Sequence, residues 1–294
     1  MKIRYLILGI VAIIFWGISL LATKILIQHN FTPNMITLAR FSIASVLLGL
    51  SLKKHQKQKI EATDQKYFWL MAFGGIALFY YFENSGVKYT SISNTALITA
   101  TIPLFTLLTA HFVYHKKMNW QNWLGLPLGL LGTVLLFIND FRTESSLHIK
   151  GDILVLASVF MWLVYSFAYR KIMVKYNTVF ITYITFLYGA ILLLPTLFFE
   201  YKQISLITFS FPMVVALLFL SLFCSFLAYL FWNTSIREIG VKITSNLILF
   251  LPMVSILTGI LFMNESFSWS LILSTTTIIL GAYLTSITAA GQEY

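Results

Sequence analysis

Long apolar runs dominate the chain, and short polar stretches separate them. Ten runs reach the length of roughly 20 residues that a helix needs to cross a hydrocarbon core of about 30 Å. They lie near residues 5–27, 33–52, 67–86, 93–115, 120–140, 151–170, 178–199, 212–234, 241–264 and 268–290. The pattern predicts an all-α integral membrane protein with ten transmembrane helices.

The composition agrees with this class of protein. The chain of 294 residues is 59% hydrophobic and 10% charged, and its mean hydropathy is +0.84. A soluble domain of this length would need far more charge to cover its surface. The longest polar connection, residues 53–66, is too short to form a catalytic domain outside the bilayer. We therefore expect the lipid bilayer to be the main surroundings of the chain.

The basic residues predict the orientation in the membrane. The formal net charge is +10, but the positive residues collect at one set of helix ends, as the positive-inside rule describes. With the N-terminus inside, the cytoplasmic ends hold Lys2, Arg4, Lys53, Lys54, Lys57, Lys59, Lys66, Lys116, Lys117, Arg170, Lys171, Lys175, Arg237 and Lys242. The other face clearly holds Lys88, Arg142, Lys150 and Lys202. Ten spans then place both termini in the cytoplasm. We expect a multi-pass protein of the plasma membrane (the bacterial inner membrane), with no nucleic-acid partner.

The second half of the chain repeats the first. A shift of 149 residues aligns residues 80–135 with 229–284 without a gap. The matched pairs include Tyr80 with Tyr229, Asn84 with Asn233, Thr95 with Thr244, Pro103 with Pro252 and, at a shift of 146 residues, Trp16 with Trp162. Shared Trp, Asn and Pro are more informative than shared Leu in so apolar a chain. We predict two five-helix repeats, over residues 1–140 and 151–290.

An odd number of helices in each repeat inverts the second repeat in the membrane. Inverted repeats allow a protein to open alternately to either side, with the substrate site near the bilayer midplane between the halves. The repeat therefore predicts a secondary active transporter that works by alternating access. A small-molecule substrate is the expected partner, and a coupling proton or ion is a further candidate.

Three segments also resemble a known family. Residues 15–41, FWGISLLATKILIQHNFTPNMITLARF, place an aromatic-Trp-Gly sequence in the first helix and an Arg in the second. Residues 99–136 and 249–284 look like the ends of two copies of one domain. Together they resemble the EamA family of the drug/metabolite transporter superfamily, which implies ten helices in two inverted five-helix units and favours export. One departure is Lys116, at a position where the second copy has the expected acidic residue, Glu265.

Polar side chains inside the apolar runs give the candidate site. Tyr80, Glu83 and Asn84 share one helical face, and polar stripes on transmembrane helices usually face the bundle interior or a wet cavity. Aromatic residues beside polar neighbours could hold an amino-acid side chain or an amine. The predicted substrate-binding residues are Trp16, Tyr80, Glu83, Asn84, Thr95, Trp162, Tyr165, Trp232 and Asn246.

Glu83 has two interpretations at this stage. The first is a structural ion pair with Arg40 or Lys24, which needs no substrate. The second is a cavity role, in which Glu83 binds a cationic group or carries a coupling proton. Arg40 is expected to have a structural partner, with binding of a substrate carboxylate as its alternative.

The predicted function is export of a small polar metabolite, an amino acid or related compound. The first alternative is transport of an organic cation such as a choline-like amine. The second is a membrane-embedded, lipid-modifying enzyme, which would need paired acids, a His cluster or a nucleophile with its base. Glu83 is the one carboxylate well inside a predicted span, and no such set accompanies it. We therefore predict no enzymatic activity, no cofactor and no metal site, and leave the oligomeric state open.

Overall fold

The computed structural model describes residues 2–53, 56–115, 118–143, 146–265 and 269–286. In the first half, α1 is Lys2–Gln28, α2 is Pro33–Ser51 and α5 is Trp120–Thr143. Helix α3 covers residues 65–89 and consists of Gln65–Leu70, the π-helical Met71–Leu78 and Phe79–Tyr89. Helix α4 is interrupted after its second turn and consists of Ile92–Thr99 and Ile102–Tyr114.

The second half follows the same order. Here α6 is Ser146–Ile172, α7 is Thr178–Leu193 and α10 is Trp269–Ser286. Helix α8 consists of Phe211–Leu218, the π-helical Phe219–Leu227 and Ala228–Ile239. Helix α9 consists of Val241–Asn246, the 3-10 turn Leu247–Phe250 and Leu251–Met263. Two single turns, Thr196–Phe199 and Tyr201–Ile204, connect α7 to α8.

Seven segments of the described chain are long and apolar enough to cross a bilayer, which confirms an all-helical membrane protein. They are Ile3–Gln28, Pro33–Ser51, Ile92–Thr109, Ser146–Ile172, Thr178–Phe199, Phe211–Ile239 and Ile243–Met263, and a shorter apolar helix covers Leu271–Thr285. The count of ten spans stays a prediction. Lys116, both chain ends and the end of the last predicted span, from residue 287, lie outside the described residues.

Local sequence explains where the helices begin. The Thr32 hydroxyl accepts a hydrogen bond from the N–H of Met35, and Pro33 fits the first turn of α2 because its missing N–H would have no helical partner there. The side chain of Asn177 caps α7 in the same way, at the equivalent point of the second half. Gly240 ends α8 with a φ of 89°, a conformation that favours glycine.

Helices of the two halves pack in reciprocal pairs. Helix α2 packs on α7 and α5 packs on α10, so each contacts the helix at its own position in the other repeat. The last part of α3 packs on α6, and the last part of α8 packs correspondingly on α1. Reciprocal contacts of this kind are what a two-fold relation between two copies produces. They support the predicted repeat, whose inversion stays a prediction.

The α5–α10 pair depends on glycine. A Cβ at Gly281 would lie 2.5 Å from the Cα of Gly129 and 2.7 Å from the carbonyl oxygen of Gly125. These are backbone atoms, which cannot rotate away as a side chain can. Small residues allow two helix backbones to approach this closely, and packing of this kind drives helix association inside a bilayer.

We expect Gly281→Val to destabilise the protein by about 3 kcal/mol, because the added atoms force α5 and α10 apart. The thermal unfolding midpoint of the purified protein in detergent should fall accordingly. Leu280→Val is the matched control, since Leu280 is half exposed on the same helix. An unchanged midpoint for the Gly281 variant would contradict this account of the packing.

A charged cluster joins the two halves at the predicted cytoplasmic face. The Lys175 ammonium lies 2.9 Å from a carboxylate oxygen of Glu61 and 2.9 Å from one of Asp64. The Tyr176 hydroxyl also donates to Asp64, at 2.9 Å. The hydrogen bond from Lys175, the largest cause, and that from Tyr176 hold the pKa of Asp64 below its ordinary value. The α2–α3 connection is thereby fixed to the α6–α7 connection.

Asp64→Asn should lower the unfolding midpoint at neutral pH, and the difference from the parent protein should disappear in acid. A carboxylate whose pKa is lowered by folding contributes stability above its unfolded pKa, near 4, and loses it as the pH falls through the folded value. Unfolding midpoints measured between pH 7 and pH 3 test this. Glu238→Gln, at the exposed end of α8, controls for loss of one negative charge. Parallel curves for Asp64→Asn and the parent would refute the prediction.

Candidate functional site

A small cavity, with about 40 Å³ open to the centre of a water-sized sphere, lies where α4 and α9 depart from regular α-helix. Helix α4 contributes Thr99 and Ile102, on either side of its interruption, and α9 contributes Ile248 and Leu251. The remaining lining residues come from α1, α3 and α6 and are Trp16, Ser19, Leu20, Phe79, Tyr80, Glu83 and Trp162. The cavity is therefore built by both halves.

Three pairs of repeat-related residues line this cavity. They are Trp16 with Trp162, Thr99 with Ile248, and Ile102 with Leu251, at the sequence shifts of 146 and 149 residues that align the halves. Residues related by a two-fold axis meet each other only close to that axis. The cavity thus lies at the junction of the two halves rather than within either of them.

Matched prolines stand next to the cavity. Pro103 in α4 and Pro252 in α9 have no N–H, so neither can donate to the carbonyl four residues earlier, which belongs to Thr99 and Ile248, respectively. In α9 the carbonyl of Ile248 accepts from the N–H of Leu251 instead and closes a 3-10 turn. Helices interrupted at corresponding positions of two repeats are a strong pointer to a midplane site.

Aromatic rings form much of the wall. The ring of Trp16 lies 5.6 Å from that of Trp162, 5.4 Å from that of Tyr229 and 5.1 Å from that of Trp232, between centroids. Phe79 contacts Trp162 at 5.3 Å. Edge-to-face and tilted packing of this kind is favourable for aromatic rings and makes a firm surface.

A pair of tyrosines marks the centre of the junction. The hydroxyl oxygens of Tyr80 and Tyr229 are 3.0 Å apart and share a hydrogen bond. Both residues are buried, and they are equivalent in the two repeats. A residue that bonds to its own equivalent must lie beside the axis that relates the halves. Tyr80 therefore both lines the cavity and fixes the two halves to each other.

Glu83 brings to the cavity a carboxylate that receives no direct polar contact from the described protein. It is 9% exposed and lines the cavity on the same face of α3 as Tyr80. Within the described part of the chain, no hydrogen bond or ion pair reaches its carboxylate oxygens. A buried carboxylate normally has such partners, because removing its charge from water is costly.

The structural ion pair considered for Glu83 is not formed in this structure. Arg40 donates from Nε to the Ser225 hydroxyl at 2.8 Å, and its guanidinium carbon lies 4.5 Å from the centre of the Tyr80 ring. Lys24 donates to the carbonyls of Val87 and Thr90, at 2.6 and 3.0 Å, where α3 ends. Both cations thus contact other groups, although Nη2 of Arg40 has no hydrogen-bond partner in the described chain and the charge of Arg40 still acts on Glu83.

Four of the nine predicted site residues line the cavity: Trp16, Tyr80, Glu83 and Trp162. Two lie behind this wall, since Tyr165 stacks on Trp162 at 5.1 Å and Trp232 contacts Trp16. The other three are placed on neighbouring turns. Thr95 donates to the carbonyl of Ser91 within α4, Asn246 precedes the 3-10 turn of α9, and Asn84 faces α2.

The repeated asparagines have matched structural bonds. The Asn84 amide donates to the Thr37 hydroxyl at 3.1 Å, and the Asn233 amide donates to the Thr182 hydroxyl at 3.0 Å. The first bond joins α3 to α2, and the second joins α8 to α7 in the same way. Amide and hydroxyl groups that bond across helices stabilise packing inside a bilayer. This accounts for their repetition without a substrate.

Several lining residues were not predicted as site residues. Thr99 and Ile248 could have been found by counting four residues back from the matched prolines, because those carbonyls lose their helical donors. Leu20, Phe79, Ile102 and Leu251 gave no signal, since an apolar residue facing a cavity resembles one facing lipid. Ser19 lies one turn after Trp16 on α1 and has the same weak signal as other hydroxyl residues of that helix.

An all-helical membrane protein with an aromatic cavity at the junction of two related halves has the architecture of a solute transporter. The profile of the EamA-like transporter family matches residues 3–138 and 149–287, and the chain belongs to that family. It is a membrane transporter.

Related proteins agree with this assignment. An uncharacterized transporter of Bacillus subtilis, YyaM, is 29% identical over 256 residues, which cover 84% of this chain and 81% of that protein. An uncharacterized transporter of Archaeoglobus fulgidus is 26% identical over 273 residues, 92% of this chain and 93% of its own length. A solved crystal structure, 19% identical, has a TM-score of 0.66, covers 97% of this chain and 98% of its own, and shows the shared fold. The family and these names point to a transporter rather than a lipid-modifying enzyme.

Proposed function

We propose that this protein is a secondary active transporter that exports a small polar metabolite, an amino acid or a related compound, by alternating access. The cavity at the junction of the halves is the substrate site, because residues of both repeats form it and matched helix interruptions flank it. Export follows from the resemblance to the family. The observation that carries the proposal is the pairing of repeat-related residues around a single cavity.

Glu83 indicates which charge the substrate is expected to carry. A carboxylate beside the rings of Trp16 and Trp162 suits an ammonium group, which both the carboxylate and the ring faces attract. Amino acids and choline-like amines each carry a positive nitrogen. A Glu83 carboxylate that lines the cavity and receives no hydrogen bond is therefore the specific observation that keeps the organic-cation transporter as the second candidate function.

Alternating access requires contacts between the halves that form on one side and break when that side opens. By the predicted topology, the turn between α3 and α4 lies on the outer face. The Glu265 carboxylate, from the second half, accepts hydrogen bonds from the backbone N–H of Ile92 at 2.6 Å and of Ser93 at 3.1 Å. Asp152, also from the second half, accepts from the Thr90 hydroxyl at 2.6 Å. These two carboxylates hold the outer side of the junction closed.

The Glu265 contact has no acidic equivalent in the other repeat. Its sequence counterpart is Lys116, and a positive side chain cannot cap the positive N-terminal end of a helix. The contacts that close the two sides of the cavity therefore differ in chemistry. Glu265 is the residue we assign to the closure of the outer side.

Glu265→Gln should open the outer side more often, because the neutral amide binds the α4 N-terminus less strongly. The reporter is Ser19→Cys, inside the cavity, in a Cys224→Ser background, labelled by a membrane-impermeant maleimide from outside. We expect severalfold faster labelling in Glu265→Gln. Glu238→Gln is the matched charge control and should label at the parent rate. Equal rates for Glu265→Gln and the parent would disprove the assigned closure.

The proposed function itself is tested by ligand binding and flux. Amino acids, amines, nucleosides and sugars are screened for a rise in the unfolding midpoint of the purified protein. A ligand present at about 100 times its Kd adds roughly 2.7 kcal/mol to stability. Any compound that raises the midpoint should also exchange across proteoliposomes that contain the protein, and empty liposomes are the control. A ligand that binds without any protein-dependent exchange would argue against transport.

A further inference from the structure

We propose that the cavity selects organic cations that carry an amine and lack a carboxylate. This inference rests on the proposed transport function and favours its second candidate substrate, the organic cation, over the zwitterionic amino acids that the sequence favoured. It follows from three features of the lining: its charge, its hydrogen-bond donors and its aromatic rings.

The lining carries a single charged side chain, and its charge is negative. Among the eleven lining residues there is one acidic residue, Glu83, and there is no Lys, Arg or His. Arg40 does not line the cavity: it is 1% exposed, bonds to Ser225 and lies against the Tyr80 ring. Lys24 is bound to backbone carbonyls at the end of α3. The charge of Arg40 acts on Glu83 without forming an ion pair or a hydrogen bond with it, so an ammonium group in the cavity would supply the direct contact that the carboxylate lacks within the described protein.

Most polar side chains of the lining already donate their hydrogen bonds to other groups of the protein. Ser19 donates to the carbonyl of Trp16 at 2.7 Å, Thr99 to that of Thr95 at 2.8 Å, and the Trp16 indole to that of Cys224 at 3.0 Å. The Tyr80 hydroxyl shares its bond with Tyr229, so the Trp162 indole is the remaining donor of the lining side chains with no assigned bond. A substrate carboxylate needs several donors or a cation, and the lining offers it neither, because Arg40, whose Nη2 has no hydrogen-bond partner, lies against the Tyr80 ring and not in the lining.

The same groups suit a cation. Hydroxyl oxygens that have donated their hydrogen still hold free lone pairs, and the two oxygens of the Glu83 carboxylate offer about four acceptor positions. Rings of Trp16, Phe79, Tyr80 and Trp162 surround the space and attract a positive charge through their faces. The lining therefore favours binding of a ligand that carries a positively charged nitrogen on an apolar body. A carboxylate added to that ligand should weaken its binding.

The experiment compares amino acids with the amines that differ from them by the loss of one carboxylate. The probes are phenylalanine and 2-phenylethylamine, tyrosine and tyramine, and tryptophan and tryptamine. Kd values are measured on the purified full-length protein at pH 7 from the ligand dependence of the unfolding midpoint. We expect at least one amine to bind, with an affinity at least tenfold above that of its parent amino acid.

Variants at Glu83 connect this preference to its cause. Glu83→Gln keeps the size of the side chain and removes its charge, so the affinity for the amine should fall at least tenfold and that for the amino acid should change little. Glu83→Asp keeps the charge and should retain the preference for the amine. Glu238→Gln removes a carboxylate far along α8 and should alter neither affinity. The unfolding midpoint without ligand shows whether each variant is folded.

The outcomes separate this inference from the function on which it rests. If an amino acid binds as tightly as its amine, the cation preference is overturned and transport of amino acids stands. The same holds if a sugar or nucleoside of the broader panel binds and no amine does. If amines bind equally well to Glu83→Gln, the carboxylate is not the selecting group and the inference fails. If no compound of either panel binds, the cavity is not a substrate site and both proposals fall.

Discussion

Inside a bilayer each polar group must find its partner within the protein, and this requirement shapes the junction of the two halves. With no water in the hydrocarbon region, an unsatisfied group costs several kcal/mol. The tyrosine pair, Tyr80 and Tyr229, meets the requirement at the centre, and the amide N–H groups of Asn84 and Asn233 meet it one turn further along their helices. Exceptions remain among the described residues: no hydrogen bond reaches the Glu83 carboxylate, and Arg40 Nη2, Asn84 Oδ1 and the Thr185 and Ser274 hydroxyls also lack a hydrogen-bond partner.

The same requirement places the cavity. A proline inside a helix removes the donor for one carbonyl, and non-helical backbone is tolerated at membrane depth where it is buried in protein or lines a cavity. Pro103 and Pro252 impose this in both halves, and the two weakened turns meet beside the Trp16–Trp162 pair. The features that interrupt the helices therefore also create the space between them. Fold and site have a common cause in this protein.

The sequence predicted helices better than side-chain directions. The apolar runs marked the helices because a bilayer demands a minimum length, and the chain is an all-helical membrane protein as expected. The shared helical face of Tyr80, Glu83 and Asn84 was less decisive, since Asn84 is turned enough to reach α2 while Glu83 enters the cavity. That difference depends on how α3 is rotated against its neighbours, which packing determines and sequence periodicity does not. The lining by Phe79 and Leu20 was beyond any sequence signal, because the lipid face has the same composition.

Residues that the halves share and residues that they do not share have different consequences. If the halves are related by the predicted inverted two-fold axis, perfect repeats would give the inward-open and outward-open states equal energies. Residues that differ between the repeats must then determine the energy difference between the two states. Glu265 is such a residue, because its sequence counterpart in the first repeat is Lys116. A capping interaction is worth roughly 1 kcal/mol, which is about a fivefold change in a two-state population. That is enough to favour closure of the outer side and small enough for a bound substrate to reverse. Glu83, with Trp232 as its counterpart, confines the charge of the cavity to one half in the same way.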